Sequence, residues 1–227
     1  MKKLILSIIF LNLLCVNLFS HVKHYKDFNY LEYELYRNNQ LIGYHKYEFI
    51  RKNGELNVKS VVNFKITKLN IDLYKYSAKS EERYKNGIFH SFSSKTIQNK
   101  KTKFVDINAN KEKNLLNVNG SSFKGETNIN NIVGTWWNHE IINADAQISA
   151  ISGRVIEQEV TFLGKETVSI NDKQYKALKF NFKSSDETLP DNKKLNTNIW
   201  YDEKSMLWLK ASFKKRGNCE YRIKTVR

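Results

Sequence analysis

The sequence predicts an all-β protein. The expected architecture is a single strongly curved antiparallel meander sheet, or half-open β-barrel, with a short helical or loop excursion near 125–152. Three observations carry this. Apolar residues recur at every second position through most of the chain, as in a sheet with one wet face. Asparagine-rich turns separate these runs at short intervals. Aromatic residues make up 13% of the chain, more than plain strand filling needs, which fits a broad apolar interior.

The first 20 residues read differently from the rest. Lys2 and Lys3 precede an apolar run from Leu4 to Phe19, and Ser20 is a small residue suited to the position before a cut. That is the layout of a secretory signal peptide, and the run is shorter than the ~20 apolar residues of a membrane span. The expectation is an exported, periplasmic protein: signal peptide 1–20, then one antiparallel β-domain over 21–227 with no transmembrane span. Leu14 occupies a place where a lipidation signal wants a small residue, so Cys15 leaves with the leader. Cys219 then stays alone and reads as a small apolar filler.

The strands follow in order. Expected runs are 29–37, 41–51, 56–67, 70–84, 88–98, 102–109, 114–119, 154–163, 166–170, 174–184, 196–202, 207–215 and 218–225. In "LNVKSVVNFKIT", Leu56, Val58, Ser60, Val62, Phe64 and Ile66 share one face, and Lys59, Asn63 and Lys65 lie on the other. The turns "KNGE" at 52–55 and "KNGI" at 85–88 carry Asn-Gly pairs, which accept the positive φ of tight hairpins. The stretch 125–152 breaks the alternation. The run "SSDETLPDNKK" at 184–194 holds the only proline and reads as an exposed loop. A transmembrane barrel is disfavoured because the second face of most strands carries lysine, asparagine or glutamate instead of an apolar band.

The formal charge is +15, or two fewer without the leader's lysines. The lysines are scattered, not blocked, and an exported protein rarely meets cellular nucleic acid, so no nucleic-acid partner is expected. Attraction to anionic lipid head groups or acidic envelope polymers is the functional reading of this charge.

Catalytic templates are missing. There is no HExxH, no metal-spaced cysteine pair, no G-x-S-x-G elbow and no glycine-rich phosphate loop. Glu81 and Glu82 are neighbours on a strand, so they point to opposite faces and form no carboxylate dyad. His21 and His24 belong to a frayed terminus, and His45 and His90 to strands. The chemical candidate is "TWWNHE" at 135–140, where Trp136, Trp137, Asn138 and His139 are the candidate ligand-binding residues. His139 adjoins Glu140, but no nucleophile is nominated for it to activate. No catalytic, cofactor or metal residue is assigned.

The segment Tyr33-Glu34-Leu35-Tyr36-Arg37-Asn38-Asn39-Gln40-Leu41-Ile42-Gly43-Tyr44-His45 resembles the opening of an exported Gram-negative family catalogued as domain of unknown function 6134. The likeness continues through "YKYSAKSEERYKNG", the Trp-Asn of "TWWN", "FLGKETVSI" and "WYDEK". Asn39 stands where a glycine is common, and asparagine tolerates the left-handed backbone. The resemblance implies one β-rich envelope domain and no reaction. The expected function is therefore non-catalytic: a concave sheet face that binds an apolar or amphipathic, lipid-like ligand, or docks an envelope partner. One alternative is a structural or assembly protein with a filled interior. The other is a hydrolase centred on His139.

Overall fold

The computed structural model describes residues 25–215 and 217–227. The expected signal peptide, His21 and His24 lie outside the described residues. Fifteen strands follow one another: β1 (Tyr30–Arg37), β2 (Gln40–Lys52), β3 (Glu55–Lys68), β4 (Ile71–Lys85), β5 (Ile88–Gln98), β6 (Lys101–Asn110), β7 (Leu115–Gly120), β8 (Lys124–Asn128), β9 (Ile132–Val133), β10 (Ala146–Ile148), β11 (Val155–Ile170), β12 (Lys173–Ser184), β13 (Asn196–Asp202), β14 (Trp208–Lys214) and β15 (Asn218–Val226). They form one sheet in the order β8-β7-β6-β5-β4-β3-β2-β1-β15-β14-β13-β12-β11-β10-β9. The sheet is all-β and strongly curved, as the alternation predicts.

Two details depart from the expected strands. The runs 154–163 and 166–170 are one strand, β11. Its register against β12 slips between Phe162 and Gly164, so Gly164, at φ +121°, makes a bulge where a turn was expected. The excursion 125–152 also holds more than a loop: β8, the two-residue β9, a 3-10 turn at His139–Asn143 and β10. These pieces are too short to show alternation. The β9–β10 pair is parallel, the one departure from an antiparallel ladder.

The curl follows from the connectivity. β8 and β9 are the two edges of the sheet, yet only residues 129–131 join them. Four Cα steps span at most about 15 Å, so the edges are held near each other. Val133 of β9 and Ile148 of β10 pack on Phe92, Val105, Ile107, Leu116 and Val118 from β5, β6 and β7. The ring is thus closed by side-chain packing and by two hydrogen bonds, from the Ser122 N–H to the Ser152 carbonyl at 2.8 Å and from the Ser94 hydroxyl to the Ala150 carbonyl. At this seam Gly120 lies against Ser152, whose carbonyl oxygen would be 2.6 Å from an added Cβ.

Antiparallel order sorts the turns into two ends. One end carries the β2–β3, β4–β5, β11–β12 and β13–β14 turns, together with Tyr25. This end is filled. Tyr25, Phe49, Leu56, Tyr84, Trp137, Ile170, Leu207 and Trp208 belong to a single buried cluster. Tyr25 plugs it, with its ring centroid 5.4 Å from Trp137 and 5.9 Å from Phe49 and its hydroxyl donating to the Met206 carbonyl at 3.0 Å. The other end carries the β1–β2, β3–β4, β5–β6, β12–β13 and β14–β15 turns, and there the interior is open.

Candidate ligand-binding cleft

The opening follows from side-chain size along one row of the sheet. At one level, Phe49, Val58, Glu82 and Phe92 lie across β2 to β5, and the three apolar members fill the interior. One level up, Ser60, Ser80 and Ser94 are cross-strand neighbours on β3, β4 and β5. The next level holds His45, Val62, Ala78 and Thr96. Small residues on adjacent strands leave space, and a cleft of about 330 Å³ occupies it. The floor is ordered: Ser60 and Ser80 hydroxyls lie 2.8 Å apart, and the Ser94 hydroxyl donates to the Ala150 carbonyl at 2.6 Å.

The walls are aromatic. His45, Tyr47, Tyr76, Trp136, Phe213 and Tyr221 all line the cleft. The Trp136 ring stands edge-on to Trp208 at 5.5 Å and to Tyr221 at 5.8 Å. The rim is basic. Arg154, Lys193, Lys194, Lys214 and Lys215 line it, and no aspartate or glutamate is among the described lining residues. Two of the lining residues carry buried polar atoms without a hydrogen-bond partner: both ring nitrogens of His45 and the indole Nε1 of Trp136. Burial pushes the His45 imidazole down to about 3, so it is neutral at physiological pH.

The "TWWN" segment is built by a backbone device. The Trp137 N–H donates to the Thr135 carbonyl at 2.8 Å, and Trp136 between them has φ +61°. That is the sign of the rare, strained form of γ-turn. Asparagine, aspartate and glycine occupy most positive-φ positions of this chain; a tryptophan there is held against its backbone preference. The turn sends the two indoles to opposite sides. Trp136 lines the cleft, and Trp137 enters the filled end with no exposed surface.

Trp137 is received by an acid. Its Nε1 donates to Glu82 Oε2 at 2.9 Å, the Thr135 hydroxyl reaches the same oxygen at 3.4 Å, and the Tyr84 hydroxyl donates to Glu82 Oε1. Asn138 Nδ2 donates to the Tyr84 hydroxyl at 3.4 Å, and its Oδ1 caps the 3-10 turn by accepting from the Glu140 N–H at 3.2 Å. Burial pushes the Glu82 carboxyl up to about 7, against three donors that favour the charged form. Glu81 points outward, bonded to Asn57 and Arg83, so the two acids do face opposite ways.

Of the four sequence candidates, then, Trp136 alone borders the cleft. Trp137, Asn138 and His139 are buried on the filled side. His139 Nε2 lies 3.3 Å from Glu140 Oε1, and its ring stacks near Tyr25 at 6.4 Å. Sequence reasoning missed His45 and Glu82. Both sit at inward-facing positions of alternating strands, and a polar residue in phase with the apolar face is the signal that could have found them. Cys219 is half-buried, with its thiol held up by burial and lying over the Lys215 and Gly217 carbonyls. Among the described residues no group of three or more His, Cys, Asp or Glu could hold a metal ion. No helix among them is long and apolar enough to cross a membrane.

A curled, incompletely closed sheet with one end packed and one end open defines a β-barrel-like protein. Among solved structures, the β-barrel-like protein of domain of unknown function DUF1849 from Brucella abortus shares this fold. Its TM-score is 0.59 at 11% identity, over 87% of this chain and 96% of that one. The chain belongs to the family Domain of unknown function (DUF6134), whose model matches residues 33–224. No curated protein matches the sequence.

Proposed function

We propose that this is a non-catalytic, exported envelope protein that holds one amphipathic, anionic ligand in the open end of its curved sheet. The apolar part enters between Trp136, Tyr76, Val62 and Tyr221, and the acidic head stays at the rim. The observation that carries this reading is the cleft itself. Native interiors are packed to crystal-like density, yet here three serines and an alanine hold about 330 Å³ open. That volume is at the low end of the range of about 300–1,000 Å³ for small-molecule sites, room for one chain or compact apolar group. Five cationic residues line the mouth and no acidic one does, with the exposed Asp191 3.5 Å from Lys194 behind them; this balance favours an anion. Unpaired polar atoms on His45 and Trp136 are costly unless a ligand or water meets them.

Hydrolysis centred on His139 is the weaker reading, because that imidazole lies on the filled side among Tyr25 and Glu140, away from the cleft. The export part of the proposal rests on Lys2, Lys3 and the apolar run Leu4–Phe19. N-terminal sequencing of secreted protein should begin near His21.

The test is titration of a medium-chain fatty acid, read by tryptophan fluorescence and by extraction of lipid from gently purified protein. Wild type should respond with saturation. Ala78→Phe should fill the cleft and abolish the response while the thermal melt stays the same. No saturable response from wild type, together with no co-purified lipid, rejects the proposal.

A further inference from the structure

The β3–β4 hairpin is longer than its neighbours. Pairing to β2 ends at Phe64 with Gly43, and pairing to β5 ends at Tyr76 with Gln98. Beyond these points β3 and β4 pair only with each other, from Lys65 opposite Lys75 to Lys68 opposite Ile71. The tip is a two-residue turn, Leu69-Asn70, with both residues at positive φ (+50° and +61°). Its aliphatic side chains face solvent: Leu69 is 87% exposed, Ile71 64% and Leu73 55%.

Leucine is the wrong residue for that backbone. The equivalent turns elsewhere use Asn38-Asn39, Asn53-Gly54, Asn86-Gly87 and Asn171-Asp172, the residues that left-handed turns favour. Only this turn pairs asparagine with a leucine, held in the left-handed region and pushed into water. Nothing among the described residues covers it. A free two-stranded ribbon is also marginal in water by itself.

The charge around the tip says what covers it. Lys65, Lys68 and Lys75 flank the aliphatics, and Asp72 is held between Lys65 (3.6 Å) and Lys75 (3.0 Å). The adjoining β5–β6 turn adds Lys100 and Lys101 and is tied to the hairpin by the Asn99 N–H donating to the Lys75 carbonyl at 2.8 Å. An apolar point collared by lysines complements a surface that is negative outside and apolar beneath. It fits a flat protein face poorly, because a two-residue tip covers little area.

We infer that the Leu69 hairpin tip inserts into the head-group layer of an anionic bilayer, with Lys65, Lys68 and Lys75 against the lipid phosphates. The same end of the sheet carries the mouth of the cleft, since the β12–β13 and β14–β15 turns with Lys193, Lys194, Lys214 and Lys215 lie at that end. Insertion would therefore face the mouth toward the lipid. The inference stands apart from the proposed ligand, because it needs only the hairpin.

The test is co-sedimentation with vesicles of phosphatidylglycerol and phosphatidylcholine, against pure phosphatidylcholine. Wild type should bind the anionic vesicles at least about tenfold more tightly and should release in high salt, as screening requires. Leu69→Asn suits the turn backbone, so it should fold as well as wild type or better. It should lose most vesicle binding and keep the fatty-acid response. Leu69→Trp should show a blue-shifted emission increment on anionic vesicles. Equal binding by Leu69→Asn and wild type, equal binding to neutral and anionic vesicles, or an unshifted Leu69→Trp spectrum each overturns the inference. Sedimentation that requires a membrane protein in the vesicles assigns the tip to a protein partner and overturns it as well. Ala78→Phe should bind vesicles normally, which separates failure of the hairpin from failure of the cleft.

Discussion

Trp137 and Glu82 are 55 positions apart in sequence and joined by a 2.9 Å hydrogen bond from indole to carboxyl, both without access to solvent. The bond clips the irregular 133–145 segment onto β4, below the cleft floor. It also leaves an acid in the core whose proton is held more tightly than in the unfolded chain.

The first prediction concerns that proton. The folded carboxyl of Glu82 sits at about 7 against an ordinary value near 4.5. The folded state therefore binds this proton better between these values, and the Glu82 contribution to stability falls as pH rises through that window. The loss is on the order of 3 kcal/mol. Glu32, Glu81 and Glu220 are depressed instead, and their contribution is lost on acidification at and below the lower edge of the window. His45, pushed down to about 3 from an ordinary 6.5, opposes Glu82 inside the window, because the unfolded imidazole takes a proton there and the folded one does not. In a His45→Leu background, which removes the opposing imidazole, thermal melts from pH 4.5 to 8 should decline, and they should lie flat when Glu82→Gln is added. A flat profile in the His45→Leu background would show that the acid is ionised without cost.

The second separates the two tryptophans. Trp137→Ala removes a fully buried ring and should cost about 3–5 kcal/mol. Trp136→Gly gives up wall contacts but releases a strained backbone worth about 1–3 kcal/mol. Its melt should stay much closer to wild type, while the fatty-acid affinity falls at least tenfold. The opposite ranking of the two melts would place the indoles on the wrong sides of the turn.

The third concerns Gly43. It pairs directly with Phe64, whose ring stacks on Tyr76 at 4.7 Å. An added Cβ would meet the Asn63 carbonyl oxygen at 2.1 Å and Phe64 Cβ at 2.5 Å. Gly43→Ala should therefore shift the urea midpoint downward, by about 1–3 kcal/mol of overpacking. An unchanged midpoint would mean that β2 and β3 lie further apart there.

The fourth concerns His45. Two buried, unpartnered nitrogens are a stability cost of a kind that binding sites carry. His45→Leu should raise stability by about 1 kcal/mol and weaken ligand binding. A lower melt for this variant would show that the ring packing on Tyr47, at 4.2 Å, outweighs the unpaired nitrogens.

The strands were legible because period-two alternation and Asn-Gly turns are local signals. Leu56, Val58, Ser60 and Val62 face inward as their spacing requires. What was not legible depends on residues meeting across the ring. The pairing of β1 with β15 joins Leu35 to Tyr221, and no local pattern announces it. β8, β9 and β10 owe their strand form to neighbours, not to propensity. The candidate "TWWNHE" was visible as a cluster of large and polar side chains. Its division between cleft and core turns on one positive φ at Trp136, which a sequence of ordinary residue types does not display. Glu82 was read correctly as facing away from Glu81, but two of its three donors, Thr135 and Trp137, come from 53 and 55 positions away in chain order.

The closure of the ring differs on its two sides. Between β1 and β15 a ladder of backbone hydrogen bonds runs the length of the strands. Across the seam, the edges are joined by the three residues 129–131, by the packing of Val133 and Ile148 on Phe92, Ile107 and Val118, and by two isolated hydrogen bonds, from Ser122 to Ser152 and from Ser94 to Ala150. A ladder has a fixed register and yields all at once. A greasy contact slides, and its energy changes gradually with the area kept together. The girth of the barrel is thus least firmly fixed at the seam. If the cleft takes a ligand wider than its resting width, yielding at the seam costs less than parting a ladder, and amide exchange in β8 and β9 should be the first to respond.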